Sequence, residues 1–191
     1  DIAKEPMIVY EVNIYELMSK TKGAKTCADV ADKLIAHMKK FSYTHVEFMP
    51  VMNCVDEKSK GYDTVSYFAI NPSLGTVDDF RTLIDKLHAN DFGVILEWSI
   101  DHFPNDDNFL KNFDGSCVFE HQDPRRGYNP KYGTLLYNYG RPQIVSFLLS
   151  AAKYYIKELL NAKHLEIKII NKGGDKREIT FIAPNKYYEN I

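Results

Sequence analysis

The chain has 191 residues, 45% hydrophobic and 26% charged, with a formal charge of −2. That length holds one well-buried domain with room for an appendage, and the near-neutral charge argues against a nucleic-acid partner or a membrane surface. No apolar stretch approaches the ~20 residues needed to cross a bilayer, and Asp1–Pro6 lacks the basic and apolar regions of a signal peptide. The three cysteines, Cys27, Cys54 and Cys117, are odd in number and lie far apart. They predict free thiols in a reducing, cytoplasmic compartment and no metal site. A start at Asp1 rather than Met leads to the expectation of a longer parent polypeptide.

In chain order, Met7–Asn13 is β-branched and aromatic and predicts a first strand. Thr26 and Asp29 form a capping-box pattern opening a helix, whose apolar face is Cys27, Val30, Ala31, Leu34, Ile35 and Met38. Thr44–Val51 predicts a second strand stopped near Pro50, and Asn53–Thr64 a polar loop. Thr76 and Asp79 cap another helix with the face Val77, Phe80, Leu83, Ile84 and Leu87. From Phe103 to Arg141 runs a segment rich in Asp, Asn, Gly, Pro and Tyr, read as a long loop, and loops of that length inside a domain are usually functional. Roughly Pro142–Leu160 predicts a third helix with Ile144, Phe147, Leu148, Ala151, Ala152, Tyr155 and Leu159 on one face.

Between the second and third helices lies Gly93–Pro104, GVILEWSIDHFP. An apolar run led by Gly and closed by Pro reads as a strand buried on both faces. Its carboxyl end carries Glu97, Trp98, Asp101 and His102, the end at which parallel sheets and barrels place ligands and catalytic groups. Residues 7–160 therefore read strand–helix three times, an α/β class with a parallel sheet. The tail departs from this alternation of strand and helix. Leu165–Ile169 and Glu178–Ile182 alternate apolar and polar residues around a Lys172–Asp175 turn, a β-hairpin pattern.

The runs VYEVN (9–13), THVEFMPV (44–51), GYDTVSYFA (61–69), GTVDDFRTLIDKLHANDFGVILEW (75–98), DHFPND (101–106), FDGSCVFEHQDPRRG (113–127) and YGTLLYNYGRPQIVSFLLS (132–150) resemble the glycogen (1,4-α-glucan) branching enzymes of the α-amylase superfamily. They fall in the family's order and spacing across about residues 7–158, and the tail after Glu158 does not match. The resemblance implies the first three βα units of a (β/α)8 (TIM) barrel over residues 1–160, with 161–191 a divergent C-terminal β-hairpin. It also implies a retaining transfer that cuts an α-1,4-glucan and rejoins it as an α-1,6 branch. By that resemblance Tyr62 matches a tyrosine that stacks under the sugar at the cleavage point, and His102 a histidine that hydrogen-bonds its hydroxyls. Glu97 stands where the family has an aspartate that supports the site.

The family's nucleophile, in an Arg-x-Asp motif on the fourth strand, has no counterpart in HLEIKIIN (164–171), and its acid/base glutamate has none either. A whole barrel needs ~250 residues. The expectation is a branching-enzyme fragment in glycogen metabolism that keeps part of the donor-side cleft for glycogen, amylose or maltooligosaccharide, needs no cofactor and is inactive alone. The alternative is a non-catalytic, degenerate half barrel that binds glucan or a partner, with the open face a route to a homodimer.

Blander readings stand beside these. His102 alone reads first as a polar residue after a strand, and Tyr62 alone as packing; the family context favours the ligand role for His102 and brings stacking level with packing for Tyr62. Glu97 and Asp101, four apart at a strand end, give no reason to face one substrate bond as paired carboxylates. Asp101, Asp106, Asp107, Asn105 and Asn108 offer oxygens for Ca²⁺ but lack the order of an EF-hand, which favours a solvated acidic loop. Asp123–Arg126 reads as an ion pair before a phosphate site. His37, His45, His88, His121 and His164 show no ligand spacing.

Overall fold

In the computed structural model, residues 6–55, 59 and 61–159 are described in full, and 166–170 and 178–183 as backbone. The first strand, β1, is confined to Val9–Val12. A helix that the sequence does not announce, α1 (Ile14–Ser19), follows it, started by Asn13, whose Oδ1 accepts from the Glu16 amide at 3.1 Å. The Thr26–Asp29 box opens a 3-10 turn, Cys27–Val30, which runs into α2, Ala31–Lys40. All six residues of the predicted apolar face are buried. The second strand, β2, is His45–Phe48.

The expected polar loop is largely bounded by strands. Met52–Cys54 (β3) and Thr64–Ile70 (β4) pair antiparallel, with register shifts on both sides of Asn53. Helix α3, Val77–Ala89, begins at the predicted box: Thr76 Oγ1 accepts from the Asp79 amide at 3.1 Å, and Asp79 Oδ2 accepts from the Thr76 amide at 2.8 Å. The hydrogen bonds from the Thr76 hydroxyl and amide hold the Asp79 carboxyl below the usual aspartate range. Such a contribution to stability is present above the ordinary aspartate pKa and is lost as pH falls through the folded value. Strand β5, Gly93–Ser99, is buried at every position. Gly93 lies opposite His45 on β2, and a Cβ there would come within 2.1 Å of His45 Cδ2, so the leading glycine is a close-approach requirement.

The stretch 103–141 is more ordered than a long loop. His102–Phe103 (β6), Tyr128–Asn129 (β7) and Thr134–Leu136 (β8) form a small antiparallel sheet in the order β6-β8-β7, with a single helical turn, α4 (Pro124–Gly127), before β7. These strands are two or three residues long, too short for alternation to reveal them. The third predicted helix splits into α5, Pro142–Tyr154, and a π-helical turn, Tyr155–Leu159. The Tyr155 hydroxyl donates to the Ala69 carbonyl at 3.0 Å, and Arg81 Nε to the Glu158 carbonyl at 2.8 Å, fastening this end to β4 and α3.

The main sheet runs β1-β2-β5 in parallel, then β10 (Glu178–Ala183) and β9 (Glu166–Ile170). Strand β10 is antiparallel to both neighbours, from Glu178 opposite Ser99 to Ala183 opposite Val94. The expected hairpin strands are therefore in place, while the expected Lys172–Asp175 turn lies outside the described residues. Helices α2 and α3 supply Leu34, Met38, Phe80, Leu83 and Leu87 to a core with Val46, Phe48, Val94 and Leu96 of the sheet. Phe48 and Phe80 meet there with ring centroids 6.4 Å apart.

The three cysteines form no disulfide. Burial, followed by the nearby Asp79 carboxylate, pushes the Cys27 thiol up to about 12, so it stays a neutral core residue. Among the described residues no helix is long and apolar enough to cross a membrane, and no three His, Cys, Asp or Glu side chains are grouped to hold a metal ion.

Candidate functional site

The carboxyl end of β5 is the structural anchor. Because side chains alternate along a strand, Glu97 and Ser99 share one face, and both are buried, at 4% exposure each. Glu97 is not an exposed strand-end acid: it sits inside the strand and its Oε1 accepts the Tyr62 hydroxyl at 2.7 Å. A void of only about 10 Å³, lined by Val51, Met52, Leu96, Trp98 and Tyr155, lies on the apolar side of Glu97. The hydrogen bond from Tyr62 is thus one contact of this buried carboxylate.

Tyr62 reaches that position because of Gly61. Gly61 adopts φ +90°, and a Cβ would lie 2.1 Å from the Pro50 carbonyl oxygen, so the turn presses directly on the chain just after β2. The Tyr62 amide donates to the Ser59 carbonyl at 3.1 Å, and the Thr64 hydroxyl to the Gly61 carbonyl at 3.3 Å. A half-buried aromatic side chain is thus held by its backbone at one end and its hydroxyl at the other.

His102 belongs to a second set of hydrogen bonds at the same strand end. Its Nδ1 lies 2.7 Å from Asp101 Oδ1, and the Ser99 hydroxyl donates to that same oxygen at 2.7 Å. The Tyr67 hydroxyl, buried at 1% exposure, points between the carbonyl oxygens of Ser99 (3.2 Å) and His102 (3.3 Å). The Tyr139 hydroxyl donates to the Ile100 carbonyl. Burial works to raise the Asp101 pKa, but the His102 hydrogen bond and charge and the Ser99 hydroxyl outweigh it and hold the carboxyl below its usual range. Its contribution to stability is accordingly present above the ordinary aspartate pKa and lost as pH falls through the folded value.

The structure thus joins Tyr62 to Glu97 directly and places His102 just beyond them, on a neighbouring network. Glu97 and Asp101 meet different hydrogen-bond partners, Tyr62 and His102. Ser99, Tyr67 and Tyr139 escape a reading of the sequence because thirteen tyrosines give no signal of their own. In the acidic loop, Lys111 Nζ pairs with Asp107 Oδ1 at 2.9 Å, and the Asp106 carboxylate caps the Asn108 amide at 2.9 Å. Those oxygens are thereby engaged in local contacts. Asp123 pairs with Arg125 at 2.8 Å and caps its amide at 3.0 Å, the ion pair expected of Asp123–Arg126.

A parallel β1-β2-β5 sheet with helical crossovers, and a buried glutamate joined to a tyrosine at its carboxyl end, define a class. The family model described as "Alpha amylase, catalytic domain" matches residues 19–156, and the chain belongs to that family. Within it, the chain is similar to the 1,4-alpha-glucan branching enzyme GlgB of Cutibacterium acnes, 43% identical over 186 residues (96% of this chain, 28% of the relative). It is also similar to GlgB of Thermobifida fusca, 39% identical over 158 residues (83% of this chain, 21% of the relative). The chain thus spans about a quarter of the length of these curated relatives. The longer alignment covers so much of the chain that it runs past Glu158, which corrects the expectation that the tail after Glu158 does not match the family. Among solved structures, an alpha-amylase from Geobacillus thermoleovorans, complexed with acarbose, superposes with a TM-score of 0.64 at 20% identity, covering 80% of this chain and 38% of the amylase, which bears on the fold alone.

Proposed function

We propose that the chain forms the donor-side part of an α-glucan cleft in a branching-enzyme type of catalytic domain. On this reading residues 1–160 are about three βα units of a (β/α)8 barrel and 161–191 a terminal hairpin. Tyr62 stacks against a glucose ring of glycogen, amylose or a maltooligosaccharide, Glu97 holds the tyrosine in place, and His102 hydrogen-bonds the sugar hydroxyls. The single observation carrying this is the 2.7 Å hydrogen bond from Tyr62 to Glu97 at the carboxyl end of β5. It ties a tyrosine to the strand end at which open and closed parallel sheets bind ligands, and similarity to the branching enzymes supports an α-glucan as the substrate class. A soluble cytoplasmic setting is part of the proposal, resting on three unbridged thiols, of which Cys27 and Cys54 are buried.

A retaining transfer needs a carboxylate nucleophile and a second carboxyl acid. The family's Arg-x-Asp nucleophile motif and acid/base glutamate have no counterpart in these residues, and Glu97 and Asp101 are engaged with Tyr62 and His102. The 191 residues by themselves are therefore expected to leave the amylose–iodine spectrum unchanged while giving a saturable heat with maltoheptaose that Tyr62→Ala removes. Branching by the purified chain would overturn the inactive reading, and absence of heat from the unmodified chain would overturn the cleft.

One observation favours a second reading, a non-catalytic half barrel that binds glucan or a partner. Strand β10 lies antiparallel on β5, whereas barrels of this type continue with a parallel strand. A terminal hairpin there would close the edge that a fourth strand otherwise protects. Among the described residues the opposite edge strand, β1, is paired on one side only; Val9 within it is 36% exposed and Ile8, just before it, 50%. A homodimer through the open half-barrel face is proposed on that basis. Sedimentation is expected to show a dimer at high concentration, and a clean monomer throughout would remove this proposal.

A further inference from the structure

We propose that Asp101 is a positioning residue for His102, holding the proton of Nδ1 so that Nε2 is presented to the glucan as an acceptor when the ring is neutral. An ionised carboxylate accepts hydrogen bonds and cannot donate them, so at 2.7 Å the hydrogen between Asp101 Oδ1 and His102 Nδ1 belongs to the imidazole. Nε2 has no hydrogen-bond partner among the described residues. Which nitrogen of a histidine carries the proton is set by the bond the other makes. The free side chain in water favours the opposite, Nε2-protonated form. Asp101 thus reverses the default tautomer.

The surroundings make this more than a contact between sequence neighbours. Ser99 Oγ donates to the same carboxylate oxygen at 2.7 Å, tying Asp101 to the end of β5. Tyr67 and Tyr139 hold the carbonyls of Ser99, Ile100 and His102, so the 99–102 turn that carries both side chains is fixed on its backbone side. The two side chains are only 13% (His102) and 20% (Asp101) exposed, where a charge-assisted hydrogen bond is shielded and holds its geometry. With Nδ1 occupied, the ring meets a ligand through Nε2 alone. A neutral Nε2 takes a hydrogen bond from a sugar hydroxyl, so the residue selects a donor at that point of the ligand.

The proposal rests on the glucan reading of the site, and two measurements separate them. Nitrogen-resolved NMR of His102, with the ring neutral, is expected to show Nδ1 protonated in the unmodified chain, a switch to Nε2–H in Asp101→Ala, and retention of Nδ1–H in Asp101→Asn, whose amide oxygen still accepts. An Nε2–H ring in the unmodified chain, or no switch in Asp101→Ala, overturns the assignment. Maltoheptaose affinity is expected to fall roughly tenfold in Asp101→Ala, as for loss of one charge-assisted hydrogen bond's worth of order, and to recover in Asp101→Asn. Equal affinity in Asp101→Ala overturns the positioning role. No binding by the unmodified chain, with the tautomer as stated, overturns the glucan reading instead.

Discussion

Gly61→Ala is expected to destabilise the chain by about 2 kcal/mol or more and to remove maltoheptaose binding at the same time. The residue holds φ +90°, where a side chain is strained, and forcing a non-glycine residue there costs on the order of 1–3 kcal/mol. The added Cβ would also sit 2.1 Å from the Pro50 carbonyl oxygen. Backbone cannot swing aside as a flexible side chain can, so the turn at Gly61 must move and draw Tyr62 away from Glu97. Urea unfolding reads the first effect and calorimetry the second. A variant with full affinity would show that the turn does not position the tyrosine.

Phe80→Ala is expected to have the larger effect on stability, about 3–5 kcal/mol, the range for truncating a buried phenylalanine to alanine. Phe80 is fully buried on α3 and faces Phe48 of β2, also fully buried, across the sheet–helix interface. Removing it opens a cavity between the second helical crossover and the parallel strands. Since domains are marginally stable, with only about 5–15 kcal/mol in total, the variant is expected to unfold near ambient temperature. A thermal transition within a few degrees of the unmodified chain would mean that α3 is not integral to the core.

What the sequence discloses, and what it does not, follows from the range of the interactions. The Thr26–Asp29 and Thr76–Asp79 boxes and the apolar faces of α2, α3 and α5 are local patterns, and they are legible. So is β5, an uninterrupted apolar run with glycine at its start. The β3–β4 hairpin is not, because its polar Asn53 sits at a register shift and its partner strand begins ten residues after Cys54. Strands β6, β7 and β8 are too short for a period of two, and α1 is six residues starting from a single Asn cap. At the site, Tyr62, Glu97 and His102 enter through the family resemblance. The contact of Tyr62 with Glu97 spans 35 residues, and no spacing rule reports it. Asp101 and His102 are adjacent, yet only the three-dimensional arrangement assigns one as the partner of the other's Nδ1.

The most direct test of the glucan cleft is residue-resolved NMR during titration of the unmodified chain with maltoheptaose. The ring resonances of Tyr62 and the Nε2 side of His102 are expected to shift together along one saturation curve. In Tyr62→Ala the His102 shift should vanish over the same concentrations. Saturable binding that leaves Tyr62 and His102 unmoved, or no binding at all, would contradict a sugar site at the carboxyl end of β5.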